Sequence, residues 1–563
     1  MIKLKHSNKI LAQQAVKAII DNGVTQVVIS PGSRNAPLII ECNAYAEIEK
    51  FSIVDERAAG FFALGLALSS KKAVALICTS GSALLNYYPA IVEAYYSNIP
   101  LIVLSADRPI ELIDIGDGQT IRQHEVFHNH IGVSISLDEK NTDSNCTKLQ
   151  DALSVLQSKQ LPIHINVPFT EPIYDTTESV SVKHDFRIET TSEQSLLDET
   201  PIDDTKMEVL ANVWQNSHSI MVIIGVKAPD ELLQKQLEHL TKFPSFIVMS
   251  ESTSNTYHPE FINHIDRLIF PWNETKFKTY KPDLLITLGG HIVSKKIKQL
   301  LRAQPPKHHW HVDRYQKLDT YHVLNEYLDV SPQLFFSQLF FKVTPKESHY
   351  KTLFLKQDKE RSQRHQKYLK KSPFSDLKVY QFIQKHLPKQ YNIHFANSAA
   401  IRYAQFFDWS KSPYVSCNRG VSGIDGSTST AIGFAVNTTN PTLLITGDLS
   451  FFYDSNALWN NYIPKDFRII LVNNSGGGIF RFIPGPTNSD TLDFFETSHH
   501  MDASHLCKMY NIDYYQTSDE VTLNKILEQF YGQSNQPKLL EIFTPQTLNA
   551  EVLKGYFKAM NDD

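Results

Sequence analysis

The sequence predicts an α/β protein of three blocks, each built on an open parallel sheet flanked by helices. Three observations carry that prediction. Short continuous Val/Ile/Leu runs bounded by Gly, Pro, Ser or Asn recur from end to end, helical patterns lie between them, and two polar, charged stretches divide the chain into thirds. Runs that are apolar on both faces suit strands covered by helices on both sides, as parallel strands are. Ligands of such sheets bind beyond the carboxyl ends of the strands.

The opening MIKLKHSNKILAQQAVKAII is interrupted by Gln13, Gln14 and Lys17, so it reads as an amphipathic helix and not as a signal peptide. Strands are expected at TQVVIS (25–30), AVALICTS (73–80), PLIVLS (100–105) and PIHINV (162–167). The acidic, Ser/Thr-rich stretch 176–206 reads as a surface linker. SIMVIIG (219–225), SFIVMS (245–250) and DLLITLGG (283–290) supply a middle sheet, and the charged stretch 346–373 a helical connector. NIHFAN (392–397), PTLLITG (441–447), FRIILVNN (467–474) and PKLLEIF (537–543) complete the third block. The resulting domains are 1–180, 206–345 and 373–563, and the first and third are alike enough in style to admit one shared architecture.

Composition narrows the class. A chain of 563 residues is too long for one core, and 42% hydrophobic with 20% charged residues is ordinary for a globular protein. The formal charge of −5 and the lack of a basic run argue against a nucleic-acid partner, so an anionic ligand must be met by local cations. Five scattered cysteines without a C-x-x-C pair support neither a zinc knuckle nor a disulfide framework. No apolar run reaches membrane-spanning length. A reduced, cytoplasmic protein without stable membrane association is expected.

The strongest local signal is LLITGDLSFFYDSNALWNNYIPKDFRIILVNNSGGGIF (443–480). One strand ends at Gly447-Asp448 and a second at Asn473-Asn474, about 26 residues on, the length of one strand–helix–strand unit. Both polar ends then emerge on one sheet edge. A carboxylate, an amide oxygen and a backbone carbonyl suit Mg²⁺, Gly447 lets the chain turn close to phosphates, and the helix after Asp448 offers free N–H groups to an anion. Either half alone would read as a helix cap or a turn; in register they read as a site. Gly116-Asp117-Gly118 follows no clear buried strand and reads as a loop, Asn460-Asn461 as helix surface, and the histidines of HEVFHNH (124–130) as loop and surface residues. A second signal is SIVDERAAGFFALGLAL (52–68), in which Glu56 opens a helix of small and apolar residues.

The paired motif resembles the diphosphate motif of thiamine diphosphate-dependent enzymes, although that family usually has Gly where this chain has Leu449. The resemblance implies thiamine diphosphate and Mg²⁺ or Mn²⁺ as cofactors, with Asp448, Asn474 and the carbonyl of Gly476 as metal ligands. It implies cofactor contacts from Gly447, Asp448, Leu449, Ser450 and Asn474, and from Ile424 as the apolar wedge under a bent cofactor. Glu56 takes the place of the family's acid on the pyrimidine N1′, where a carboxylate favours the imino tautomer that deprotonates C2. The first block becomes the pyrimidine-binding domain and the third the diphosphate-binding domain. Because the acid and the metal meet across subunits in this family, a homodimer or homotetramer is implied.

Several polar motifs exceed what cofactor binding requires: SPGSRNAP (30–37), SADRP (105–109), GQTIRQ (118–123), SKK (294–296), NSAAIR (397–402) and SCNRGVSGIDG (416–426). Their arginines and lysines suit two dicarboxylates. Together they resemble the menaquinone-pathway synthases of this family, which join 2-oxoglutarate to isochorismate. By that resemblance Ser33, Arg34, Arg108, Gln119, Lys295, Lys296, Ser398, Arg402 and Arg419 meet substrate, with Gln119 grouped with Glu56 at the reaction centre. Ile479 and Phe480 would pack against substrate. The implied reaction is decarboxylation of 2-oxoglutarate and 1,4-addition of the resulting four-carbon carbanion to isochorismate. An acetolactate synthase-like or other 2-oxoacid decarboxylase is the nearer alternative, and a nucleotide-binding dehydrogenase, for which no G-x-G-x-x-G follows a strand, the distant one.

Overall fold

The structure, a computed structural model, describes residues 5–188, 199–481 and 490–561. Three parallel sheets follow one another along the chain. The first contains β1 (Gln26–Ile29), β2 (Glu49–Ser52), β3 (Val74–Cys78), β4 (Leu101–Asp107), β5 (Val133–Ser136) and β6 (Ile163–Pro168), in the order β2-β1-β3-β4-β6-β5. The middle sheet contains β7 (Ile220–Ile224), β8 (Phe246–Ser250), β9 (Leu284–Leu288), β10 (His308–Val312) and β11 (Glu326–Leu328), in the order β8-β7-β9-β10-β11. The third contains β12 (Asn392–Phe395), β13 (Val415–Ser416), β14 (Thr442–Gly447), β15 (Arg468–Asn473), β16 (Asp513–Thr517) and β17 (Lys538–Phe543). Its order, β13-β12-β14-β15-β17-β16, repeats that of the first sheet strand for strand.

The helices between the strands include α1 (Ile10–Asp21), α2 (Glu56–Ser70), α3 (Tyr88–Ser97), α4 (Tyr350–Lys371), α5 (Asp376–His386), α6 (Ser427–Val436) and α7 (Asp448–Tyr453). The charged connector forms α4 as expected. The opening helix forms as α1, but its polar side is covered: Gln13 and Gln14 are buried and donate to the carbonyls of Ser7 and Thr142 at 2.7 and 2.8 Å. Asn460-Asn461 lies in a bend beyond the short 3₁₀ turn Ser455–Leu458, not on a helix. Among the described residues no helix is long and apolar enough to cross a membrane.

The expected strands are mostly those with helices on both faces. In the three parallel sheets the six others are β2, β5, β10, β11, β13 and β16, and all but β10 are sheet edges, where one side needs no apolar cover. The exception, β10, reads HHWHV because its buried histidines find a partner: Thr287 Oγ1 lies 3.0 Å from His309 Nε2 and 2.8 Å from His311 Nδ1.

One hydrophobic core joins the first and third blocks. It holds Phe51, Phe62 and Leu76 together with Ile432, Leu444, Phe451 and Ile469. At its centre α2 and α6 touch backbone to backbone. A Cβ on Gly65 would stand 2.1 Å from the Thr430 carbonyl oxygen, and one on Gly433 2.0 Å from that of Phe62. Only hydrogen fits at either position.

Candidate active site

Parallel pairing sets the edge at which a metal is expected. Gly447 at the end of β14 lies opposite Val472 of β15, so Asp448 and Asn474 leave the same side of the sheet. Asp448 opens α7 and is buried; its Oδ1 accepts the Leu449 N–H at 2.7 Å and its Oδ2 the Gly476 N–H at 2.9 Å. That second bond draws the loop after β15 back over the carboxylate. Gly476 makes the return possible, with a φ of 139° and a Cβ position only 2.6 Å from the Glu496 carbonyl oxygen.

The donor set fits a hard divalent cation on a diphosphate. Asn474 Nδ2 donates to Asp376 Oδ2 at 2.9 Å, which leaves Asn474 Oδ1 buried and without a hydrogen-bond donor. A buried acceptor of this kind needs a partner, and oxygen ligands are what Mg²⁺ takes. A Cβ built on Gly447 meets nothing within 4 Å, so there is room where a diphosphate would lie. Ser450 Oγ donates to the Ile424 carbonyl at 2.6 Å and so ties α7 to the turn that carries Ile424.

Glu56 is the first residue of α2, behind Asp55, whose side chain accepts the Ala58 N–H at 3.0 Å. Asn86 Nδ2 donates to Glu56 Oε2 at 3.3 Å. Burial raises the Glu56 pKa above the usual carboxylate value, while its own backbone N–H and Asn86 pull it down. Among the described residues no hydrogen bond joins Glu56 to Asp448, Asn474 or Gly476, and the apolar Val54 and Leu85 nearby are exposed. Gln119 exchanges two bonds with Ser80, from Ser80 Oγ to its carbonyl at 2.9 Å and from its Nε2 to the Ser80 carbonyl at 3.3 Å.

The six basic residues divide into three groups. Arg34 and Arg108 are held within the first domain: Arg34 pairs with Glu171 at 2.9 Å and donates to the Phe169 carbonyl at 3.0 Å, and Arg108 pairs with Asp117 at 3.4 Å and donates to the Gly118 carbonyl at 2.8 Å. The Gly116-Asp117-Gly118 loop thus serves as the anchor of Arg108. Lys295, Lys296 and Arg402 share one cavity of about 590 Å³ with Ile479, Asp266 and Tyr403, and none of the three forms an ion pair among the described residues. Arg419 faces a neighbouring cleft with His291 and donates to Asn397 Oδ1 at 2.8 Å. Burial, and then the charge of Arg419, lowers the Arg402 pKa. Phe480 packs on Phe495, with ring centroids 5.3 Å apart, and Ser33 is exposed.

Two buried acids that no local sequence pattern marks fix these loops. Glu93 of α3 accepts the N–H groups of Gly420 and Val421 at 2.6 and 2.7 Å, clamping the Arg419 loop to the first domain. Glu251 accepts those of Val293 and Ser294 at 2.6 and 2.7 Å and holds the turn before Lys295 in the same way. Three non-glycine residues have left-handed φ values at or beside predicted positions: Gln119 at 60°, Ser398 at 68° and Ser475 at 64°. Strained backbone of this sort collects at functional sites.

Comparison with known proteins gives the class of protein. Residues 10–133 match the family described as "Thiamine pyrophosphate enzyme, N-terminal TPP binding domain", and residues 190–395 "Middle domain of thiamine pyrophosphate". The protein is a thiamine diphosphate-dependent enzyme. A relative from Christiangramia forsetii named 2-succinyl-5-enolpyruvyl-6-hydroxy-3-cyclohexene-1-carboxylate synthase is 48% identical over 99% of this chain and 100% of its own. Proteins of the same name from Flavobacterium johnsoniae and Porphyromonas gingivalis are 46% identical over 98% of this chain and 99% of theirs, and 36% identical over 95% and 94%. The chain belongs to the 2-succinyl-5-enolpyruvyl-6-hydroxy-3-cyclohexene-1-carboxylate synthase family.

Proposed function

We infer that this chain decarboxylates 2-oxoglutarate and adds the remaining four-carbon unit in a 1,4 sense to isochorismate, a step of menaquinone biosynthesis, with release of CO₂. The observation that carries the reading is the cavity of Lys295, Lys296 and Arg402: three cations free of ion pairs among the described residues, sharing walls with Ile479, three residues past Gly476. Cations kept unpaired in a half-buried cavity are suited to substrate carboxylates, and the planar fork of Arg402 to a bidentate contact.

Thiamine diphosphate, when bound, supplies the nucleophilic carbon and takes up the electrons released with CO₂. The chain's own residues do the rest. Asp448, Asn474 and the Gly476 carbonyl hold Mg²⁺ or Mn²⁺ against the diphosphate. Gly447, Leu449 and Ser450 line the anion's approach, and Ile424 supports the cofactor from the turn that Ser450 ties down. Glu56 holds a proton at the pyrimidine N1′, a task favoured by its raised pKa. Arg419, Ser398 and Phe480 extend the substrate surface of the third block, and Ser33, Arg34, Arg108 and Gln119 would meet substrate from the first block, the two arginines by exchanging their pairs with Glu171 and Asp117. The site is completed by a second copy of the chain. That reading is supported by the exposed Val54 and Leu85 beside Glu56, and by the lack, among the described residues, of any in-chain bond from Glu56 to the metal edge. The domains are taken as 1–180, 206–345 and 373–563.

The test is mass spectrometry of the products formed from 2-oxoglutarate and isochorismate with thiamine diphosphate and Mg²⁺. A product with the mass of isochorismate plus the four-carbon unit is expected; consumption of 2-oxoglutarate with no such product would overturn the reading.

A further inference from the structure

Asp376 is the first residue of α5, buried, and takes no part in the proposed reaction. Its Oδ1 accepts from Thr544 Oγ1 at 2.6 Å and from Asn549 Nδ2 at 3.0 Å, and its Oδ2 accepts from Asn474 Nδ2 at 2.9 Å. Its own N–H donates to Asn549 Oδ1 at 2.8 Å, which fixes the backbone as firmly as the side chain.

The bond to Asn474 has a chemical direction. An ionised carboxylate only accepts hydrogen bonds, whereas an asparagine amide donates from one end and accepts at the other. In the structure the NH₂ end of Asn474 faces Asp376, as an ionised carboxylate requires, so the oxygen faces away from it, and that oxygen is the buried acceptor without a donor. With the amide turned over, two oxygens would oppose each other and an NH₂ group, which cannot ligate, would point where the cation belongs.

We propose that Asp376 is a positioning residue for the divalent cation: it locks the Asn474 amide with its oxygen toward the metal. The inference rests on the reading of Asn474 as a metal ligand. Partners that orient a first ligand commonly change metal affinity 10–100-fold when lost.

The experiment uses the full-length chain saturated with thiamine diphosphate. Mn²⁺ affinity is measured by electron paramagnetic resonance, and the thermal midpoint of the metal-free protein is recorded for each variant. Asp376→Asn should weaken Mn²⁺ binding about 10–100-fold. Asn474→Asp alone should also weaken it, because two carboxylates then face each other across the bond. The double variant D376N/N474D exchanges the partners: the amide at position 376 donates to a carboxylate at 474, which ligates through either oxygen. It should recover Mn²⁺ affinity close to that of the unaltered chain. A residue that merely holds α5 in place would lower the metal-free midpoint in both single variants and gain nothing from the exchange, and that result would overturn the proposal. Unchanged Mn²⁺ affinity in Asp376→Asn, with loss in Asn474→Ala, would likewise overturn it and leave the metal reading standing. Unchanged affinity in Asn474→Ala would remove the metal reading itself. Should Asp376→Asn fail to fold, the exchanged pair decides the matter alone.

Discussion

Gly476 and Asp448 stand 28 residues apart in the chain, yet the N–H of the one donates to Oδ2 of the other at 2.9 Å. The bond closes the loop after β15 onto the start of α7, so the carboxylate proposed to meet a cation also holds the Gly476 peptide in place. Asp448→Ala should therefore remove two ligands in effect, the carboxylate and the ordered Gly476 carbonyl. Calorimetry should find thiamine diphosphate affinity strongly reduced and barely improved by added Mg²⁺. Unaltered affinity at saturating Mg²⁺ would mean that the loop has another purpose.

Glu56→Gln is expected to leave cofactor binding and the thermal midpoint near those of the unaltered chain while nearly abolishing turnover. Glu56 lies on a different domain from the diphosphate edge, so the loss belongs in kcat. General acid–base groups contribute roughly 10²–10⁴-fold, and an activity loss under about tenfold in single-turnover assays would count against this role.

Arg402→Ala and Arg419→Ala should each leave cofactor affinity alone and raise KM for dicarboxylate substrates. A desolvated charge-assisted contact is worth roughly 2–5 kcal/mol when its partner stays buried, about 30-fold or more in kcat/KM. Lysine should substitute poorly, since a point charge cannot reproduce the planar fork. Measured kcat/KM for pyruvate, 2-oxoglutarate and isochorismate separates the possibilities. Equal losses on the two oxoacids with isochorismate unaffected would make these arginines structural.

Glu251 offers a pH test. Burial, against the pull of the Val293 and Ser294 N–H groups, pushes its carboxyl up from 4.5 to about 7. The folded chain then holds a proton that the unfolded chain has already lost. The stabilisation from this group is fully present below pH 4.5 and is lost as pH rises through about 7. Glu251→Gln should remove that part of the pH dependence, so its thermal midpoint should change less than that of the unaltered chain between about pH 5 and about pH 8. Identical pH profiles for the two proteins would show that Glu251 is ionised throughout.

What the sequence made legible was whatever local pattern dictates. Strands covered on both faces advertise themselves by composition, and the Asp448–Asn474 spacing follows from one strand–helix–strand unit. What it hid depends on distant partners. Glu93 is one acid in a helix until Gly420, 327 residues on, closes against it. Asn474 stands in a local motif, but Asp376, which meets it across 98 residues, is marked by nothing local. Ion pairs are hidden for the same reason: Arg34 and Arg108 look like Arg402 in a one-dimensional reading, but Glu171 and Asp117 already occupy them. Edge strands such as β16, DYYQT, carry polar residues because solvent covers one side, and their pattern fades into that of loops.

The contact of α2 with α6 through Gly65 and Gly433 sets a gauge for the enzyme. Side chains can be exchanged for others of similar bulk, and a core that relies on them drifts in spacing as a lineage changes. Peptide groups have one size. The helix that begins at Glu56 and the helix that follows the Ile424 turn are spaced here by backbone, so their separation does not depend on the bulk of any side chain. The same joint has no slack. A single added methyl at either glycine would act as a wedge at the centre of the shared core, moving the helix of Glu56 against the turn of Ile424 from a point where neither residue stands.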